Sequence, residues 1–232
     1  MNNFRALAMS FAEVRERFPE LVVCGPKEVS EIFEGDVSGD SCGFSAMEIV
    51  AYLKQLREDF GEENSAVGLF QMPSFLKIVY KDDGGNYEKM EPPNLEMLLR
   101  RFSGAFNNYS YWAEGEDFSL ERMRSVVILT ALESNPVFHG RKYDKQQELA
   151  EKRGEEIISA VESAFTLCVA GKRYKRANLD RTNTTHEVLR RGVHHERMIG
   201  VGDNDTKGIK VIAYGHTALM NMGATAALVR KI

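Results

Sequence analysis

The residues best suited to chemistry in this sequence are cationic and lie late in the chain. Lys172, Arg173, Lys175 and Arg176 surround Tyr174, and Arg181, Arg190, Arg191 and Arg197 follow. Lysine and arginine neutralise phosphates and release their condensed counterions, while an aromatic ring such as Tyr174 stacks on an unpaired base. From Gly171 to the end there are 12 Lys+Arg against 5 Asp+Glu, a local charge of +7. The whole chain carries −4, so the first 170 residues carry −11. Such polarity points to a polyanion, or to contact between the acidic region of one copy and the basic region of the next. A solvated basic face tied to the chain's own acids would have the same composition. If the segment from Thr185 is helical, Arg190 and Arg197 fall two turns apart along one face, with Arg191 on an adjacent face.

A second constellation centres on Cys42, in Gly39-Asp-Ser-Cys-Gly-Phe-Ser-Ala46, directly before a predicted helix. A helix N-terminus lowers a thiol pKa through the dipole and its free N–H groups. The string resembles the helix start that carries the nucleophile of papain-like proteases, one residue shorter and without their tryptophan. His216 follows a predicted strand and supplies a base downstream, with Asn221 as the only candidate to orient it. A cysteine hydrolase using Cys42 and His216 is therefore the alternative to a nucleic-acid binder. The plainer reading of Cys42 is a small residue at a loop-to-helix junction.

Other pairs carry less. Arg181 and His186 have the Arg-x4-His spacing of HEPN-type ribonucleases, a spacing that chance readily produces. His194 and His195 are adjacent, point apart on a helix and have no Cys or carboxylate to complete a metal set. Gly200-Val-Gly202 lacks the pattern of a phosphate loop. No cofactor and no metal are expected.

The elements that must position these groups read as mainly helical. Apolar residues recur at helical spacing from Phe4 to Phe18, and Pro19 closes that segment. A short helix follows Pro26, and Ser45 to Phe60 is amphipathic. Phe75–Tyr80 and Tyr87–Met90 flank Asp83-Gly-Gly-Asn86 as a β-hairpin. Helices are expected after Asn94, from Ser119 through Thr130, from Asp144 to Cys168 with a weak point at Gly154, and from Thr217 to Lys231. Ile209–Tyr214 adds one short strand. The reading is a two-lobed, mainly α protein: an arm at 1–18, a lobe at 19–112 and a basic lobe at 113–232.

Two stretches are similar to nucleoproteins of segmented negative-strand RNA viruses, the phlebovirus type in particular. Met1-Asn-Asn-Phe-Arg-Ala-Leu-Ala-Met-Ser-Phe-Ala12 resembles their N-terminal arm helix, and Gly43-Phe-Ser-Ala-Met-Glu-Ile-Val-Ala-Tyr-Leu-Lys54 the helix that follows. Asp117-Phe-Ser-Leu-Glu-Arg122 is similar to a mid-chain element of that family. The resemblance implies an all-helical two-lobed core, an RNA groove between lobes and an exchanged arm. Helical coat proteins of filamentous plant viruses are an equally admissible relative.

Composition is compatible with this. Hydrophobic residues make up 43 % and charged residues 28 %, which excludes intrinsic disorder. No apolar run approaches a bilayer's thickness, and the opening residues do not read as a signal peptide. Three scattered cysteines suit a reducing compartment. The expectation is thus a cytoplasmic RNA-binding protein, present in a virion if viral. It would assemble through Phe4, Leu7, Phe11 and Phe18 without a membrane. A non-catalytic adaptor is the second alternative.

Overall fold

The computed structural model describes residues 7–33, 39–61, 66–82, 84–114, 117–132, 135–174, 187–191, 195–203, 208–214 and 225–231. The helices are α1 Phe11–Arg17, α2 Pro26–Phe33, α3 Ala46–Phe60, α4 Leu95–Arg101, α5 Tyr143–Lys152 and α6 Ala160–Tyr174. The strands are β1 Val22–Cys24, β2 Val67–Gln71, β3 Leu76–Asp82, β4 Gly85–Glu91, β5 Val126–Ala131, β6 Glu156–Ile157, β7 Glu187–Arg191, β8 His195–Asp203, β9 Ile209–Tyr214 and β10 Ala226–Lys231.

A five-stranded sheet, in the order β1-β2-β5-β10-β6, divides two cores. β1 and β2 are parallel; β2, β5, β10 and β6 follow one another antiparallel. Side chains alternate across it. Val67, Leu69, Val127, Leu129 and Ala131 join Phe11, Val14, Phe44, Ile49, Tyr52 and Leu56 on the face covered by α1 and α3. Phe70, Val126 and Ile128 join Leu95, Leu98, Leu99, Phe165 and Cys168 on the other, covered by α4 and α6. A sheet buried on both faces needs apolar residues at both alternations, so its strands read as continuous apolar runs.

That property overturns the mainly α expectation. The run Val126-Val-Ile-Leu-Thr-Ala131 forms β5, not part of a helix from Ser119, because four of its six residues are β-branched and both sides are covered. Residues 226–231 form β10 against β5 in place of the expected Ala-rich helix. The long helical pattern from Asp144 splits into α5, β6 and α6. The split occurs where Gly154 adopts φ +70° and Arg153 bonds back to the Leu149 and Ala150 carbonyls. β2, at residues 67–71, and β5, at residues 126–131, are hydrogen-bonded neighbours in this sheet. The all-helical core that the nucleoprotein resemblance implies gives way to it. α2, α3, α4, β9 and the β3–β4 hairpin lie where the sequence places them.

The N-terminal segment differs too. Leu7, Ala8 and Met9 are not helical. Met9 exchanges backbone hydrogen bonds with Phe44 and Cys42, and α1 begins only after Ser10, whose hydroxyl and Glu13 form a capping box. Phe11, Val14 and Phe18 are buried in the chain's own core, whereas Leu7 is 91 % exposed. Phe4 lies outside the described residues.

Gly154 offers a clean check on the break between α5 and β6. Nothing lies within 4 Å of the Cβ that alanine would add, so only backbone strain enters. Gly154→Ala should cost about 1 kcal/mol, seen as a lower urea midpoint with an unchanged slope.

Candidate nucleic-acid interface

The basic region grows out of α6. Its start is fixed by reciprocal bonds: Ser159 N–H donates to Glu162 Oε2 at 2.9 Å, and Glu162 N–H to Ser159 Oγ at 3.3 Å. Arg124 donates twice to the buried Glu162 carboxylate, at 2.7 and 3.0 Å, and once to Glu156 at 2.7 Å. From Ala160 to Ala170 every residue is buried, because the helix runs between the large sheet and a second sheet of β7, β8 and β9. Its cations, Lys172 and Arg173, stand next to Tyr174 in the sequence of the helix.

The three-stranded sheet holds Arg190, Arg191 and Arg197 of the basic set. β7 and β8 are antiparallel, with Arg191 opposite His195, Arg190 opposite Glu196 and Leu189 opposite Arg197. The helical arrangement considered for Arg190 and Arg197 is thus replaced by adjacent strands. Arg190, Arg191 and Arg197 occupy the three rungs nearest the β7–β8 connection, within roughly 7 Å along the strand direction. Lys210 on β9, absent from the sequence-based set, stands opposite Gly202. Lys175, Arg176 and Arg181 lie outside the described residues.

β9 is anchored to the body along its other edge. Asn107 N–H donates to the Ile209 carbonyl at 2.8 Å. The Ser110 hydroxyl donates to that carbonyl at 2.9 Å and accepts from Val211 N–H at 3.0 Å. Gly208, at φ +98°, permits this approach: a Cβ there would sit 2.7 Å from the Ala105 oxygen.

Cys42 is not seated as a nucleophile. Ser45, three residues later, holds the N-cap of α3 and forms a capping box with Glu48. The Cys42 thiol is buried, donates to the Phe44 carbonyl at 3.5 Å and has its pKa pushed up by burial. A dipole-activated thiolate needs the opposite environment. His216 and Asn221 lie outside the described residues.

One polar cluster escaped the sequence reading. Arg153, in the turn after α5, pairs with Asp59 at the end of α3 and donates its Nε to Glu155 at 2.8 Å. Asp59 also accepts from Asn135 at 2.6 Å, and Glu155 from Gln55 at 3.2 Å. The Tyr52 hydroxyl lies beside Glu155 and donates to the Ala226 carbonyl at 3.4 Å. The Arg153 guanidinium covers the Phe138 ring at 5.9 Å. The Arg-Gly-Glu string was visible, but nothing in its spacing indicates Asp59, 94 residues away.

No described helix is long and apolar enough to cross a membrane. No protein-family model matches the chain, and no curated protein or solved structure matches it.

Proposed function

We propose that the chain binds RNA, through phosphate contacts of its basic C-terminal region, and assembles with copies of itself in the manner of a coat or nucleocapsid protein. The observation that carries this reading is the charge separation. A segment of +7 follows a body of −11, with four of its cations between Lys172 and Arg176. Phosphate neutralisation by Lys172, Arg173, Lys175, Arg176, Arg181, Arg190, Arg191 and Arg197 would supply affinity without sequence preference, and Tyr174 would add stacking. Arg191 and Arg197, which hold register positions of like parity on β7 and β8, support it. The reading rests on charge and not on the nucleoprotein resemblance, whose helical core this chain lacks.

Self-association is the second half of the proposal. Opposite charge on two parts of one chain favours head-to-tail contact between copies. Leu7, Met47 and Val50 are exposed apolar residues that a neighbour could cover, and Phe11 and Phe18 are not. The protein would act in the cytoplasm, and in a virion if its source is a virus. No covalent step belongs to this reading.

Protein purified from cells without nuclease should show a raised 260/280 nm absorbance ratio and elute ahead of its 26.2 kDa monomer position. High salt should lower the ratio by stripping the RNA. A low ratio with monomeric elution at low salt would reject both halves.

A further inference from the structure

We infer that Tyr52, Asp59, Arg153 and Glu155 form a proton-responsive clasp, tighter in mild acid than at neutral pH, that fastens the α5–β6 turn to α3. The geometry is two carboxylates sharing one guanidinium out of water. Arg153, Asp59 and Glu155 have side chains 15, 10 and 1 % exposed. With both acids ionised the cluster holds one uncompensated negative charge. The described groups that act on Glu155 include Arg153 from its own turn, and Tyr52, Gln55 and Asp59 from α3. From the neighbouring elements, Asn135 bonds Asp59, Phe138 lies under Arg153, and β10 contributes only the neutral Ala226 carbonyl.

Glu155 is the member that takes the proton. Burial pushes its carboxyl above the ordinary value of 4.5, and the Asp59 charge adds to this; Arg153 and the Tyr52 hydroxyl offset part of the rise. Protonation leaves Arg153 fully committed to Asp59, while neutral Glu155 still accepts from Gln55. The folded-state pKa lies above the unfolded one. The clasp's contribution is therefore fully present below about pH 4.5 and is lost as pH rises through the folded value. This is the reverse of an ordinary carboxylate ion pair. Glu155 precedes Glu156, which pairs with Ala227 of β10, so loosening the clasp would free the edge of the large sheet.

The test compares thermal midpoints of the wild type and Glu155→Gln, a mimic of the protonated acid, from pH 4.5 to 8.5. The variant should gain on the wild type by a few degrees as pH rises, and the gap should close toward the acid end. Adding Asp59→Asn should narrow the pH interval over which the gap opens. A gap independent of pH, or one widening in acid, would overturn the inference. Should Glu155→Gln fail to fold, carbon-NMR titration of the wild-type Glu155 carboxyl decides. A midpoint above 4.5 supports the clasp, and one at or below it removes it.

Discussion

Phe11→Ala should destabilise the fold by about 3–5 kcal/mol, the range for deleting a fully buried phenylalanine. Phe11 has no solvent exposure and packs against Gly25 so closely that a Cβ there would sit 2.6 Å from the ring. Truncation leaves a cavity that neither partner can fill, since glycine has no side chain to relax into it. Around it the segment is held by the Ser10–Glu13 capping box, the Met9 bonds to Phe44 and Cys42, and the Phe11 N–H bond to the Asp40 carbonyl. Urea titration of Phe11→Ala should show the loss as a lower midpoint with little change in slope. Deleting residues 1–18 should abolish cooperative folding, because Phe44, Ile49 and Leu21 lose a wall of their core. Leu7→Glu is the control: at 91 % exposure it should shift stability by less than about 0.5 kcal/mol. Any change it makes in elution volume then reports on contact between copies. A folded, monomeric 19–232 fragment would show that α1 is an exchanged arm after all.

This helix also shows why some of the fold was legible and some was not. Local signals carried α2 through Pro26 at its first position, and α4 through Asn94, whose side chain accepts from Met97 N–H at 2.8 Å. The β3–β4 hairpin was legible from Asp83-Gly-Gly-Asn86, of which Gly85 and Asn86 open β4 opposite Asp82 and Lys81. β1, β2, β5 and β10 were not, because each gains its identity from neighbours distant in sequence. Val67–Gln71 has no polar alternation to mark it, since both faces are buried. Ala226–Lys231 contains good helix formers and becomes a strand only because β5 and β6 lie on either side. The basic set was legible as composition, but its arrangement depended on whether Glu187–Arg191 was helix or strand. The Asp59–Arg153–Glu155 cluster had no sequence signal beyond charge.

Replacing Lys172, Arg173, Lys175 and Arg176 together with alanine should weaken binding to single-stranded RNA about 100-fold at 0.15 M salt. The estimate follows from counterion release. Each phosphate contact on a single strand contributes about 0.7 to the slope of log affinity against log salt, so four lost contacts flatten it by about 3. Near 1 M salt, where that contribution vanishes, variant and wild type should converge. The loss should be equal for polyuridylate and polyadenylate, since phosphates carry no sequence information. Tyr174→Ala should behave differently, losing about 1–3 kcal/mol of stacking with its salt slope unchanged. A second variant, with Arg190, Arg191 and Arg197 changed to alanine, separates the two parts of the surface. If the three rungs of β7 and β8 belong to the same site, it should flatten the slope by about 2. Fluorescence anisotropy at four salt concentrations measures both slopes. Binding by the quartet variant that matches the wild type at low salt would remove Lys172–Arg176 from the RNA site.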